Sequence, residues 1–201
     1  MFTGLIREIA HVKLFNGEKL RLSAAHRPQI GDSIAVNGAC LTVISLEHDG
    51  FSLELSHTTQ GAIAVENLRS RVHIEAAMQM GERFEGHIVQ GHIDAIGEIL
   101  RVEKRLKSLD LLIAVGSKVM RLIAPKGSIA IDGVSLTVTQ SFADRFLLTL
   151  IPHTLQNTLF LEYRAGRKVN VETDLFARYT AHLLAAAQNG RQSIEKIEAL
   201  F

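Results

Sequence analysis

The chain has 201 residues, 47% of them hydrophobic and 21% charged, with 22 basic groups against 21 acidic ones and a formal net charge of +1. That balance, with no long basic run, excludes the electrostatic footprint of a nucleic-acid-binding protein. The lone cysteine, Cys40, excludes a disulfide framework within the chain and makes a reducing compartment the default.

In chain order, Arg7 and Glu8 interrupt the apolar opening at once, against the unbroken stretch of a signal peptide. No window approaches the roughly 18–20 apolar residues of a membrane span. A soluble, cytoplasmic protein is expected. Ala24 to Pro28 is a candidate short helix. Ser33 to Val36 and Phe51 to Leu55 alternate as half-buried strands do. Asn37-Gly38 and Asp49-Gly50 stand between apolar runs, and both residues of such pairs tolerate positive φ, so each predicts a hairpin. Ser117 to Ile123 is a second candidate helix, and Asp132-Gly133 a further hairpin. From Thr180 the apolar residues Leu183, Leu184 and Ala187, then Ile194, Ile197, Leu200 and Phe201, keep a one-sided helical spacing. That helix packs either on its own barrel or on a neighbouring subunit.

The second hairpin repeats the first. Ser33 to Val43 lies over Ser128 to Val138 at an offset of 95 residues, and the match runs without a gap to Thr59 over Thr154, with about 12 of 27 pairs identical. After a two-residue shift, Val72 to Glu75 matches Val169 to Glu172. The period exceeds the roughly 20–50 residues of solenoid units, so it marks a duplicated domain. Boundaries are expected at 1–86 and 87–185, with a helical tail over 186–201. About six short strands per copy, with turns every 8–12 residues, argue an all-β fold of two similar small closed barrels.

Familiar catalytic signatures are missing: there is no GxSxG elbow, P-loop or dinucleotide fingerprint. His87 and His92 lie five apart without a third ligand nearby, so no metal site and no cofactor are expected. What recurs is a set of small polar residues: Asn37, Cys40 and Thr42 in one copy, Asp132, Ser135 and Thr137 in the other. Thr59 and Thr154 follow in each. Beside a hairpin turn, at a barrel rim, these either meet a ligand or merely satisfy turns and ladder ends. Two like rims imply two like ligands.

These motifs resemble the riboflavin synthase family. The resemblance rests on Met1 to Ile6, Asn37 to Val43, Gly86 to Asp94, Lys126-Gly127, Ile131 to Thr137, Ile151 to Leu155 and Val169 to Asp174, which stand in family order over nearly the whole chain. It implies two six-stranded Greek-key barrels in tandem plus a C-terminal helix. It implies a homotrimer, with each active site formed between barrels of neighbouring subunits, and association with lumazine synthase. The implied reaction joins two molecules of 6,7-dimethyl-8-ribityllumazine by four-carbon transfer. It yields riboflavin and 5-amino-6-(ribitylamino)uracil without cofactor or metal.

By the same resemblance Cys40, Ser33, His92 and Asp132 are the candidate catalytic groups. Substrate contacts fall on Gly4, Leu5 and Ile6, on Ala39, Cys40 and Leu41, and on Glu54, Leu55, Ser56, His57, Thr58 and Thr59. Gly4 to Ile6 and Glu54 to Thr59 are expected at the first site. Further contacts fall on Gly91, His92 and Ile93, on Lys126, and on Ser135, Leu136 and Thr137. Thr149, Leu150, Ile151, Pro152, His153 and Thr154 are expected at the second site. Each residue has a plainer alternative: Cys40 as a buried small hydrophobe, Ser33 as a strand end, His92 as structural, Asp132 as a turn residue. The segment Gln60 to Leu68 and the pair Ser56-His57 depart from the family pattern. A non-catalytic lumazine- or flavin-binding protein of the bioluminescence antenna kind is the competing reading. A flavin-reductase-type barrel would need a nucleotide-binding α/β partner that this chain lacks.

Overall fold

The computed structural model describes the chain to residue 198, with side chains described to residue 188. Ile194, Ile197, Leu200 and Phe201, expected on the outer stripe of the tail helix, therefore lie outside the described side chains. The first barrel contains β1 (Glu8–Phe15), β2 (Lys19–Ser23), β3 (Ser33–Val36), β4 (Ala39–Glu47), β5 (Gly50–Glu54) and β6 (Arg71–Ala76), adjacent in the closed order β1-β2-β5-β4-β3-β6. The second contains β7 (Ala95–Lys104), β8 (Leu109–Ala114), β9 (Ser128–Ile131), β10 (Val134–Ser141), β11 (Arg145–Leu150) and β12 (Lys168–Thr173). Read around the ring from β7, its order is β7-β8-β11-β10-β9-β12, the same connectivity. In both, a strand returns beside a non-consecutive one, which is the Greek-key arrangement.

The hairpin turns fall where the Asn-Gly and Asp-Gly pairs predict. Asn37 and Asp132 have φ of 43° and 44°, and Gly38 and Gly133 follow at 83° and 80°. Bulges also recur, between Val43 and Ser45 and between Val138 and Gln140, where extra twist helps a small sheet close. Ala39, Leu41 and Val43 of β4 face the first core, and Cys40 and Thr42 face outward. Cys40 and Thr42, with Ser135 and Thr137 in the second copy, thus stand on the flank of each barrel, while Asn37 and Asp132 are buried in the turns.

Short helices α1 (His57–Ala62) and α3 (Pro152–Asn157) follow β5 and β11, α2 (Ser117–Met120) precedes β9, and α4 (Leu175–Glu198) ends the chain. Ala24 to Pro28, a candidate helix from its sequence, is extended; the Glu8 carboxylate takes the amides of Ala25 and His26, and Pro28 lacks a donor. Helix α4 starts at Leu175, and the Asp174 carboxylate caps it by accepting from the Phe176 amide at 2.8 Å. Among the described residues no helix is long and apolar enough to cross a membrane.

The two barrels meet hairpin to hairpin. His73 of β6 and Asn170 of β12 occupy equivalent places and do equivalent work. His73 Nδ1 donates to the Asp132 carbonyl at 3.0 Å and its Nε2 accepts from the Leu159 amide at 2.8 Å. Asn170 Nδ2 donates to the Asn37 carbonyl at 2.8 Å and its Oδ1 accepts from the Ala64 amide at 2.7 Å. The segment Gln60 to Leu68, which departs from the family pattern, supplies this junction: beyond Ala64, Asn67 bonds the Lys168 carbonyl and Glu66 pairs with the Lys168 ammonium.

At the centre a Cβ on Gly38 would stand 2.6 Å from the Gly133 amide nitrogen. Gly38→Ala should therefore cost the left-handed penalty of about 1–2 kcal/mol plus an overpacking cost of about 1–3 kcal/mol. Gly31→Ala has the same backbone penalty with nothing within 4 Å, and should lose only the first. Urea midpoints of the two variants measure the difference.

Candidate functional site

Segments leading into each barrel cross to the other one. Met1 to Ile6 precedes β1, yet the Gly4 carbonyl accepts from the Ser135 amide of β10 at 2.8 Å, and Ile6 packs against the second core. Reciprocally, the Gly91 carbonyl accepts from the Cys40 amide of β4 at 2.9 Å, and Ile93 packs against the first core. Phe2 and Val89 pair where the segments pass. The approach is close enough to need glycine, since a Cβ on Gly91 would stand 2.5 Å from Cys40 Cβ. Gly4, Leu5 and Ile6, expected at the first site, thus lie against the second barrel, and Gly91 to Ile93 against the first. Local pattern places a segment with the barrel it enters; only the tertiary contact shows the exchange.

Two buried carboxylates hold the crossings. Glu75 of β6 accepts from the Thr3 amide and hydroxyl, both at 2.8 Å, and from the Gly4 amide at 3.0 Å. Glu172 of β12 accepts from the amides of Gln90 and Gly91 at 2.8 and 2.9 Å. Burial pushes both carboxyls above the usual range, and the donated bonds oppose it.

On the second barrel these elements enclose a two-lobed cleft. One lobe, about 390 Å³, is lined by Gly86, Ser128, Leu136, Thr137, Thr149 and Leu150, among others. The other, about 400 Å³, is lined by Gly4 to Arg7, Glu85, His153 and Asn157, among others. Ser135 and Thr154 belong to both. Either lobe is within the range of small-molecule sites. Pro152, at the start of α3, is exposed beside His153.

Behind the wall, His87 Nδ1 lies 2.7 Å from Ser135 Oγ. Burial pushes the His87 imidazole down, opposed by the charge of Asp174, which favours the neutral ring whose Nδ1 can accept the Ser135 hydroxyl hydrogen. Thr149 donates to Asp110 at 2.9 Å, and Arg105 clamps the other Asp110 oxygen at 2.7 Å. Burial alone would raise the Asp110 carboxyl, but those two bonds hold it below its usual range.

On the first barrel the equivalent wall carries Ser33 opposite Thr42, and Thr42 opposite Glu54, in neighbouring ladders. Leu55 is buried; Ser56 caps α1, its Oγ accepting from the Thr59 amide at 3.1 Å, with His57 and Thr58 exposed in the first turn. Ala39 and Leu41 are core residues and Cys40 is half-buried. His92 is exposed on the loop that reaches Cys40.

Two expected residues stand apart. Asp132 is fully buried at the barrel junction, with one carboxylate oxygen taken by Tyr163 at 2.6 Å and the other by the Asn170 amide at 2.7 Å. A catalytic role needs a free oxygen near a ligand, and the packing of hairpin on hairpin removes it; Asp132 is a junction residue. Lys126 is exposed with φ of 64°, a left-handed conformation uncommon for lysine, and it does not line either lobe. Sequence reasoning missed His87 as the partner of Ser135, and missed Glu75 and Glu172. The one signal for the crossing was Gly4-x-Ile6 recurring as Gly91-x-Ile93.

The lumazine binding domain family matches residues 3–77 and 90–174. Riboflavin synthase of Photobacterium phosphoreum is 36% identical over 92% of this chain and 89% of its own. That of Bacillus subtilis is 35% identical over 98% and 96%, and that of Mycobacterium tuberculosis 37% over 93% and 100%. A crystal structure of LumP complexed with riboflavin shares the fold with a TM-score of 0.77 at 20% identity, covering 86% of this chain and 99% of LumP. The chain belongs to the lumazine binding domain family, as a member with two copies of the domain on the riboflavin synthase branch.

The junction has a pH signature. Burial raises the Asp132 carboxyl to about 6, against bonds from Tyr163 and Asn170, and lowers the His73 imidazole to about 4, opposed by its bond to the Asp132 carbonyl. The folded state thus holds a proton on Asp132 that the unfolded chain releases near pH 4, so this contribution is lost as pH rises toward 6. His73 acts oppositely: its contribution is present above about 6.5 and lost as pH falls toward 4. Asp132→Asn, which copies Asn37 in the equivalent turn, removes the first effect alone. Urea midpoints should then climb more steeply from pH 4 to 6 in the variant than in the parent; identical slopes would remove Asp132 from the titration.

Proposed function

We propose that the chain is a riboflavin synthase that dismutates two molecules of 6,7-dimethyl-8-ribityllumazine to riboflavin and 5-amino-6-(ribitylamino)uracil. The observation that carries this reading is the cleft on the second barrel, with the equivalent wall of small polar residues repeated on the first, in a chain matched over more than nine-tenths of its length by curated riboflavin synthases. A reaction between two identical substrates needs two like sites. The antenna reading has weaker support, since LumP shares the fold at only 20% identity.

In this mechanism each mouth holds one lumazine. The 7-methyl protons of lumazine are acidic, so the substrate supplies its own carbanion, and positioning two rings face to face contributes up to about 7–11 kcal/mol. At the second mouth Ser135 Oγ adds to the electrophilic ring carbon while neutral His87 accepts its proton. At the first mouth Cys40 faces the ring, Ser33 assists, and His92 moves protons to and from the methyl carbon. Glu54 to Thr59 and Gly91 to Ile93 hold the first substrate. Thr149 to Thr154, Ser135 to Thr137 and Gly4 to Ile6 hold the second.

The proposal extends to a cytoplasmic homotrimer, able to associate with lumazine synthase, in which the first mouth of one subunit faces the second mouth of its neighbour. Supporting this, α4 leaves Phe176, Tyr179, Leu183 and Leu184 at least 61% exposed, a large apolar face left open among the described residues.

Purified protein should convert lumazine fluorescence into riboflavin absorbance with no added cofactor or metal. Tight lumazine binding without turnover would decide for the antenna reading. His92→Ala should lower turnover by about 10²-fold or more while leaving lumazine binding nearly unchanged; a fully active variant removes His92 from the mechanism. Replacing Leu183 and Leu184 together by Glu should move the hydrodynamic mass from trimer to monomer.

A further inference from the structure

Arg178 stands in the first turn of α4, where the helix dipole disfavours a cation. What it holds explains its place. One terminal nitrogen donates to Asp94 Oδ1 at 3.3 Å and reaches the His92 carbonyl at 3.5 Å. The other donates to Gln90 Oε1 at 3.1 Å and Glu172 Oε1 at 3.3 Å. The side chain is 19% exposed. Three of the four partners belong to one loop, Gln90 to Asp94.

That loop is already clasped to the end of β12 by two carboxylates pointing in opposite senses. Glu172 takes the loop's amides, and Asp94 takes the Thr173 amide and hydroxyl, both at 2.7 Å. Arg178 bridges both carboxylates and so ties the clasp to α4. The crossing at Met1 to Ile6 lacks this device. Glu75 holds Thr3 and Gly4 as Glu172 holds Gln90 and Gly91, but Arg7 stands where Asp94 stands, and among the described residues Glu75 has no guanidinium partner.

We propose that Arg178 is a positioning residue for the first mouth, transmitting the seating of α4 to the loop that lays Gly91 on Cys40 and presents His92. The inference rests on the riboflavin synthase reading for the claim that this mouth binds lumazine. The mechanical link itself stands on the contacts alone. It also makes the two mouths respond differently to the helix: the first is tied to α4 through a guanidinium, and among the described residues the second has no such tie.

The test uses Arg178→Met, which keeps length and removes charge, and Arg178→Lys, which keeps charge but loses the planar fork. Two readouts are taken on each full-length protein. The first is the rate at which an aromatic disulfide reagent modifies Cys40, the only thiol in the chain. The second is the stoichiometry and affinity of riboflavin, the product, by fluorescence quenching. The Met variant should expose Cys40 and raise its modification rate several-fold. It should weaken one of two riboflavin sites about tenfold while sparing the other, and Lys should restore part of both. An unchanged thiol rate in the Met variant overturns the proposal whatever the protein binds. Equal weakening of both sites together with a collapsed melting temperature overturns it too, because Arg178 is then a general anchor. A raised thiol rate in a protein whose parent binds no riboflavin supports the link and sinks the synthase reading instead.

Discussion

The barrel junction depends on a reciprocal exchange of hydrogen bonds that neither barrel can make alone. His73 and Asn170 each give one donor to the opposite hairpin carbonyl and one acceptor to an amide of the opposite barrel. An imidazole and a carboxamide fill the same geometry because each offers one donor and one acceptor about the same distance apart. The imidazole must then be neutral, with its proton on Nδ1, in keeping with the downward push of burial on His73. Each group left unpaired at such depth would cost about 1–3 kcal/mol. Separating the barrels would break these four bonds and uncover the Gly38–Gly133 contact.

The crossing of the lead segments follows from that junction. With the hairpins back to back, a chain entering either barrel passes over the other's hairpin, and Phe2 and Val89 pair where the two passages meet. Each mouth is consequently built from both halves of the sequence: Gly4 to Ile6 with Ser135, and Gly91 to Ile93 with Cys40. The carboxylates of Glu75 and Glu172 fix these passages through backbone amides, which makes the loops rigid without dictating their side chains. His92 in one passage and Leu5 in the other can therefore differ while the backbone stays alike.

The duplicated all-β architecture was legible because its signals are local. Asn37-Gly38 and Asp132-Gly133 demand positive φ, alternation assigns Leu41 and Val43 to a core face, and identical spacing assigns the same to the second copy. Helix α4 was legible from its stripe, though not its start, because the Asp174 cap is a single residue. The site was legible as far as it lies on strands: Ser135, Thr137 and Thr149 all line the second cleft. It failed where a residue's neighbour is far away in sequence. Asp132 reads as a polar group beside a site, but its surroundings are set by Tyr163 and Asn170. His87 drew notice only for its spacing from His92, whereas its partner Ser135 lies 48 residues away.

Two sites made from one pattern must still differ if two identical substrates are to play different roles. The differences are concentrated at equivalent positions. Cys40 corresponds to Ser135: a thiol is the stronger nucleophile unaided, whereas a hydroxyl needs a base, and it is Ser135 that has His87 at 2.7 Å. Glu54, exposed, corresponds to Thr149, whose hydroxyl proton is committed to Asp110 and whose lone pairs are therefore left for a ligand donor. One mouth thus presents a carboxylate and a thiol, the other an oriented hydroxyl acceptor and a hydroxyl with its own base. A chain with two identical mouths would bind two lumazines equally and favour neither direction of transfer. The substitutions at these paired positions break that equivalence between two barrels of like backbone.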